Sequence, residues 1–424
     1  MTLLRLKSAT PPGREHSMAV PEAVAGMLRE IEAGGAARAL AYARDLDGWQ
    51  GDPVLSETEI AAASARVDPQ VQADLRFAHG NIRRFAEAQR ATLTDMDIEM
   101  APGFRAGQRS IPVAAAGCYA PGGRFSHVAS ALMTVTTARA AGVGHVIACS
   151  PPRGAQGLAD EMVFAMRLAG ADRILCMGGV QAMASLAFGF FGLPRVDVLA
   201  GPGNAWVAEA KRQLFGRVGI DMVAGPTDSL IIADGSAAAA TVAWDMVGQM
   251  EHGADSPVWL VTDDRGLAEA VIGMIPALIK TLPAANAASA HAAWDRMAEV
   301  TLCDTREEMA QLADRYAPEH LHVQARDLDW WLARLTAYGS LFLGAETTVA
   351  FGDKAAGPNH VLPTSGAARY TGGLSVFKFL KTVTWQRSTA QAARPVAEAT
   401  ARISRLEGME AHARTADIRL TPPA

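Results

Sequence analysis

His145-Val146-Ile147-Ala148-Cys149, the turn Ser150-Pro151-Pro152, a helical stretch over Leu158–Leu168, and Arg173-Ile174-Leu175-Cys176 leading into Gly178-Gly179 follow one another in the chain. They read as strand, turn, helix and strand. A crossover of that length sets its two strands side by side and parallel. Upstream, Ala114-Ala115-Ala116-Gly117-Cys118-Tyr119 runs into Ala120-Pro121-Gly122-Gly123 and a helix over Ala129–Ala141. Downstream, Val196–Ala200 ends in Gly201-Pro202-Gly203-Asn204. The same rhythm resumes with strands at Ser229–Ala233, Val258–Thr262 and Glu299–Cys303, separated by helices at Ala237–Met250 and Leu267–Ile279. Strands alternating with helices predict an α/β fold with mostly parallel sheets.

Outside these segments the pattern is helical. Pro21–Glu32 reads as a helix stopping at Gly34-Gly35, Ser56-Glu57-Thr58-Glu59 as a capping box, and Arg66–Leu93 as one or two long helices. Thr305-Arg306-Glu307-Glu308 is a second capping box, and Arg387–Ala413 reads as a helical tail. The expected organisation is an arm at 1–20, a first α/β domain from 21–105 and 229–375, a second at 106–228, and a tail at 376–424. The glycine loops at Gly122-Gly123, Gly178-Gly179 and Gly201-Pro202-Gly203 suit close approach to a pyrophosphate, or are simply tight turns. There is no GxGxxG, so the two Rossmann-like halves lack the usual dinucleotide fingerprint.

The chain has 424 residues, of which 50% are hydrophobic, and 39 Lys+Arg against 44 Asp+Glu leave a formal net charge of −5. A chain of this size buries a large core unaided, and its charge argues against a nucleic-acid partner. Cys118, Cys149, Cys176 and Cys303 form no CxxC pair and read as buried thiols of a reduced, cytoplasmic protein. Met1–Ser8 has no long apolar run, so no signal peptide is expected. The longest apolar stretch, around Ala182–Leu193, is too short to span a bilayer, and no membrane partner is expected.

Four groups can carry chemistry. Gln249 and His252 share the face of a helix end, offering a metal one carbonyl oxygen and one imidazole; otherwise they are an ordinary polar cap. Glu319-His320 follows Pro318, where histidine can act as general base and glutamate can activate water; the plainer reading is a surface turn. Asp353 and His360 lie on a Gly/Pro loop and offer ligands that zinc accepts. Glu407 and His412 lie in the tail, where a lone histidine is ordinarily just solvated. His322 is expected to face away from His320, and His16, His79, His145 and His291 read as ordinary histidines.

Taken in order, Ile220-Asp221-Met222-Val223-Ala224-Gly225-Pro226-Thr227, Gln249-Met250-Glu251-His252-Gly253, Tyr316-Ala317-Pro318-Glu319-His320-Leu321 and Asn359-His360-Val361-Leu362-Pro363-Thr364 resemble the histidinol dehydrogenase family over nearly the whole chain. The resemblance implies a zinc enzyme that oxidises a primary alcohol to a carboxylate in two NAD+-dependent steps. It implies zinc ligands Gln249, His252, Asp353 and His412, the last from a C-terminal segment crossing to the partner of an intertwined homodimer. Glu319 and His320 match the acid–base pair; Thr227, His360 and Glu407, with His320 and the zinc ligands, match substrate positions; Tyr119, Gln181 and Asn204 match NAD+ contacts.

The departures concern the substrate. The family's Ala-Gly-Pro-Ser-Glu reads here Ala-Gly-Pro-Thr227-Asp228, and the Pro-Gly-Gly loop continues Arg124-Phe125-Ser126-His127. Shortened carboxylate reach and added Arg124 and His127 disfavour a cation such as histidinol and suit a small anionic diol, because guanidinium recognises sulfonate oxygens well. With Asp327-Leu328-Asp329-Trp330-Trp331 and the 406–412 segment, these features resemble the branch that converts 2,3-dihydroxypropane-1-sulfonate to 3-sulfolactate. Two alternatives stand beside it: oxidation of L-histidinol, and a non-catalytic metal- or ligand-binding homologue. The N/O ligand set also accepts other divalent ions.

Overall fold

The computed structural model describes residues 4–10, 19–122, 127–223 and 225–421. The chain divides into two compact units. One comprises 1–88 and 113–379, the other 89–112 and 380–424.

The larger unit holds two sheets. The five-stranded sheet has the order β6 (Arg173–Cys176), β5 (His145–Ser150), β4 (Ala115–Tyr119), β7 (Val198–Ala200), β8 (Gly219–Ile220), all parallel. The six-stranded sheet has the order β1 (Leu4–Lys7), β11 (Glu299–Leu302), β10 (Val258–Thr262), β9 (Ser229–Ala233), β12 (His320–Gln324), β13 (Ser340–Leu343). Only its edge strand β1 is antiparallel. Leaving β1 aside, both sheets wind identically: the first strand is central, two strands follow outward on one side, and the last two lie on the other. This is the doubly wound order, and a crevice opens where the winding reverses, between β4 and β7 and between β9 and β12.

Central strands such as β9 are buried at every residue, as a sheet covered on both faces requires. Strand β12 is buried too, yet alternates His320, His322, Gln324 with Leu321, Val323. Its apolar residues join a core with Leu230, Ile232, Met309 and Trp331, and its polar residues take the other face. His322 therefore does not face away from His320: both rings lie 6.2 Å from the Phe342 ring. Residues two apart in a strand share a side, which the sequence reading inverted.

The helix Ala19–Asp47 breaks at Gly35, where a stop was expected, but resumes and runs on. Its Val24, Leu28 and Ile31 pack with Leu175, Val180 and Leu199 of the five-stranded sheet's core, although the sequence reading placed this segment with the other sheet. The capping box at Ser56 forms as expected. At Thr305 only half of one does: Thr305 caps Glu308 N, but the Glu308 carboxylate accepts from Asp304 N instead.

The smaller unit is an antiparallel sheet, β14 (Leu380–Ser388), β3 (Phe104–Pro112), β2 (Met96–Ala101), and a hairpin of helices Ala390–Leu406 and Glu410–Asp417 closed by Ala397, Ala401 and Ala416. The strands were not expected. Strand β3 pairs with β14 from the far end of the chain, so no local pattern announces the sheet. Among the described residues no helix is long and apolar enough to cross a membrane.

Candidate active site

Expected coenzyme residues gather at the carboxyl ends of the five-stranded sheet, around its reversal point. Tyr119 closes β4, Gln181 lies in the first turn of helix Gly179–Phe188, and Asn204 caps helix Ala205–Leu214 after β7. Tyr119 is 4% exposed; burial holds its phenol well above the usual range, and the Gly179 amide hydrogen-bonds it. Gln181 donates to Asp47 Oδ2 at 3.2 Å, and its buried Oε1 has no partner. Asn204 Oδ1 already accepts from Trp206 N and Val207 N at 3.1 Å each, so only its NH2 is free to reach outward.

The loop beside Asn204 is held from below. Buried Lys211 donates to Gly201 O at 2.8 Å and pairs with Asp221, whose other oxygen accepts from Gly201 N at 2.7 Å. Gly201 has φ +119°, and a Cβ there would sit 2.0 Å from Tyr119 O, so the loop packs directly on β4.

The second cluster lies at the amino ends of the six-stranded sheet, opposite the usual ligand edge of such a sheet. Helix Arg306–Tyr316 ends on Ala317 in a left-handed conformation, and Pro318 then starts the chain into β12. This corner buries Glu319 (6% exposed) just before the strand and His320 (3%) as its first residue. Helix Ala239–Met250 delivers Gln249 and His252, and helix Val349–Lys354 delivers Asp353. His320 Nε2 lies 3.5 Å from Asp353 Oδ1, His252 Nε2 3.8 Å from Asp353 Oδ2, and His320 Nδ1 3.8 Å from Glu319 Oε2.

These distances set the proton affinities. Burial raises the Glu319 carboxyl well above the carboxylate range. Burial would lower His320, but Glu319 and Asp353 outweigh it and hold the imidazole high. Burial would raise Asp353, but the imidazoles of His320, His360 and His252 outweigh it and keep it ionised. His252 is lowered, by burial first, and so is neutral, the form that ligates metal.

His360 has both ring nitrogens engaged. Its Nδ1 lies 2.7 Å from Asp353 O, and Nε2 lies 2.9 Å from Ser130 Oγ. A carbonyl only accepts, so Nδ1 carries the proton and Ser130 donates to Nε2. As placed, His360 braces Asp353 against helix Val128–Ala141. Asp228 differs from its sequence reading. It is not a shortened arm toward substrate, because it is 3% exposed and its oxygens accept from Glu319 N (2.6 Å) and Ser365 N (2.9 Å). Thr227 beside it is half-buried.

Glu407 and His412 lie on the smaller unit and are exposed. Arg124 falls outside the described residues. His127 precedes helix Val128–Ala141, and burial pushes it down to about 4, so it is neutral near pH 7. Sequence reasoning missed Ser130, Asp47, Lys211 and Thr364, which holds Gly225 N at 2.6 Å. No local signal marks them, since each acts on a residue distant in the chain.

The donors fit zinc. Gln249 is 4% exposed and its Oε1 is buried without a partner, while neutral His252 lies 3.8 Å from ionised Asp353. A carbonyl oxygen, an imidazole and a carboxylate form three quarters of an N/O tetrahedral set. Among the described residues no three His, Cys, Asp or Glu side chains already form a closed metal cluster.

The model of the histidinol dehydrogenase family matches residues 12–420. The chain belongs to the histidinol dehydrogenase family. It is 63% identical to a histidinol dehydrogenase homologue of Ruegeria pomeroyi, over 99% of this chain and 97% of that protein. It is 62% identical, with the same coverage, to the sulfopropanediol 3-dehydrogenase of Ruegeria pomeroyi. The crystal structure of histidinol dehydrogenase from Elizabethkingia anophelis matches with a TM-score of 0.91 at 29% identity, over 97% of this chain and 94% of that one. As a member of this family, the chain is an oxidoreductase.

Proposed function

We propose that the chain oxidises the primary alcohol of (R)-2,3-dihydroxypropane-1-sulfonate to 3-sulfolactate in two NAD+-dependent steps. The observation that carries this reading is the buried Glu319–His320 pair set against Asp353 and the unpartnered Gln249 carbonyl. The 62% identity to a protein named sulfopropanediol 3-dehydrogenase supports the choice of substrate.

Gln249, His252 and Asp353 would hold the zinc, with His412 of a second copy completing the set. Exposed apolar residues on the smaller unit, among them Ile98, Met100, Ile403 and Leu406, suit burial against that copy. Zinc, when bound, would acidify and orient the diol and offset the Asp353 charge that keeps His320 protonated, and NAD+ would accept hydride. Tyr119, Gln181 and Asn204 would position NAD+ at the five-stranded sheet.

The chain's own residues then manage the protons. His320 takes the hydroxyl proton as hydride leaves the carbinol carbon, giving an aldehyde. Glu319, raised by burial, sits where it can move a proton to and from a water adding to that aldehyde. The hydrate loses its proton to His320 and a second hydride to a second NAD+. The sum is alcohol plus water plus two NAD+ giving carboxylate, two NADH and three protons. The low exposure of Glu319 and His320 keeps bulk water from the reacting carbon. Mass spectrometry of the product tests the reading: 3-sulfolactate is expected, and a sulfonate recovered unchanged overturns it.

A further inference from the structure

We propose that Asp245 is a positioning residue of the metal centre: it ties the helix delivering Gln249 and His252 to the helix delivering Asp353 and to the strand delivering His320. The inference rests on the zinc reading proposed above. Asp245 lies in helix Ala239–Met250, one turn before Gln249, so the two share a helix face. Its side chain is 15% exposed, and its carboxylate meets two other elements. Gln324 Nε2 of β12 donates to Oδ2 at 2.6 Å, and Thr348 Oγ1 donates to Oδ1 at 2.8 Å. The buried His322 of β12 sets Nδ1 3.5 Å from the same Oδ2, and its Nε2 lies 2.9 Å from Gly344 O. A carbonyl only accepts, so that nitrogen carries a proton and donates.

Each of these partners adjoins a residue of the site. His322 and Gln324 share the polar face of β12 with His320. Thr348 immediately precedes helix Val349–Lys354, which carries Asp353. Gly344, held by His322, follows β13 and starts the connection that ends at Thr348. Both ends of the connection leading to Asp353 are therefore fastened to one group of side chains. Two of these groups serve Asp245 at a local cost. Thr348 is the N-cap of its helix, where a threonine hydroxyl ordinarily accepts from a first-turn amide, yet it makes no such bond and donates to Asp245 instead. Gln324 turns its NH2 to Asp245 and leaves Oε1 buried without a partner. A flipped amide would set that oxygen against the carboxylate, so Asp245 also fixes how Gln324 lies. Metal ligands must be held to within about 0.5 Å of their working geometry. The carboxylate that joins these three elements sets the spacing of Gln249, His252 and Asp353.

The test compares the zinc-stripped parent with Asp245→Ala, Thr348→Val and Thr348→Ser. The zinc Kd is read by competition with a chromophoric chelator, and the visible spectrum is recorded after loading with cobalt. Lost ligand spacing predicts a zinc Kd about 10- to 100-fold weaker in Asp245→Ala. Thr348→Val should shift it less in the same direction, and Thr348→Ser, which keeps the hydroxyl, should restore it. The cobalt spectrum should change in the two variants that weaken zinc, and their kcat should fall while KM for NAD+ holds. A change in global stability alone leaves the Kd of the folded protein untouched. Parental zinc Kd and cobalt spectrum in folded Asp245→Ala, or in Thr348→Val where Asp245→Ala does not fold, overturn the Asp245 assignment alone. A parent that takes up no zinc defeats the zinc reading and this inference with it.

Discussion

Asp228 and Glu319 hold each other by a reciprocal pair of hydrogen bonds. Glu319 N–H donates to Asp228 Oδ1 at 2.6 Å, and Asp228 N–H donates to Glu319 Oε2 at 3.2 Å. The two residues directly precede the adjacent central strands β9 and β12, so the clamp sets the Glu319 carboxylate at the edge of the sheet. Asp228→Asn keeps one acceptor but turns an NH2 toward either Glu319 N–H or Ser365 N–H. A buried donor left unpaired costs about 1–3 kcal/mol. The expected outcome in urea unfolding is a loss of that size, with kcat reduced by about tenfold or more as Glu319 shifts. A variant with parental kcat would show that the clamp is structural only.

Metal retention should follow Asp353. Asp353→Asn keeps the shape but removes the one ionised ligand among Gln249, His252 and Asp353. Elemental analysis after dialysis is expected to find about one zinc per chain in the parent and well under half of that in the variant. Full occupancy in the variant would place the metal elsewhere.

The Lys211–Asp221 pair is almost wholly buried, with side chains 3% and 0% exposed. Removing one member strands the other charge. Asp221→Ala should therefore lose about 3–5 kcal/mol of stability. Because the pair also holds both the N–H and the carbonyl of Gly201, KM for NAD+ should rise more than KM for the alcohol. A stability loss with unchanged NAD+ kinetics would separate the pair from the coenzyme loop.

The four cysteines are buried and free. Burial raises the Cys118 and Cys176 thiols to about 12 and the Cys303 thiol to about 11, and drives Cys149 up as well. Folded pKa values this far above ambient leave almost no thiolate at pH 7, and raising the pH to 9 adds little. A thiol-reactive dye should label none in the folded protein at either pH and four after denaturation. Rapid labelling at pH 9 in the folded state would mean that one of these sites opens.

Much of the fold was legible because its signals are local. Strands β6, β9 and β10 were read at their true limits, since a buried parallel strand is a short, nearly continuous apolar run between turns. The β2–β3–β14 sheet was not, because its pairing joins segments far apart in sequence. By type and spacing Gln249, His252, Glu319, His320 and Asp353 stood beside plainer readings, and their roles came from the family resemblance; the structure links the side chains of His252, Glu319, His320 and Asp353. Asp228 and Ser130 were misread or unassigned because their work lies in what they touch. Asp228 looked like a substrate group by position, and only its backbone partners show it bound to the strand that carries Glu319.

The most direct test is the NADH yield of purified, zinc-loaded protein on limiting (R)- and (S)-2,3-dihydroxypropane-1-sulfonate and L-histidinol, each offered separately. The account predicts two NADH per molecule of the (R)-sulfonate and none from histidinol. Turnover of histidinol with the sulfonates inert would contradict the substrate assignment and leave the zinc and Glu319–His320 assignments standing, whereas one NADH per sulfonate would contradict the two-step course.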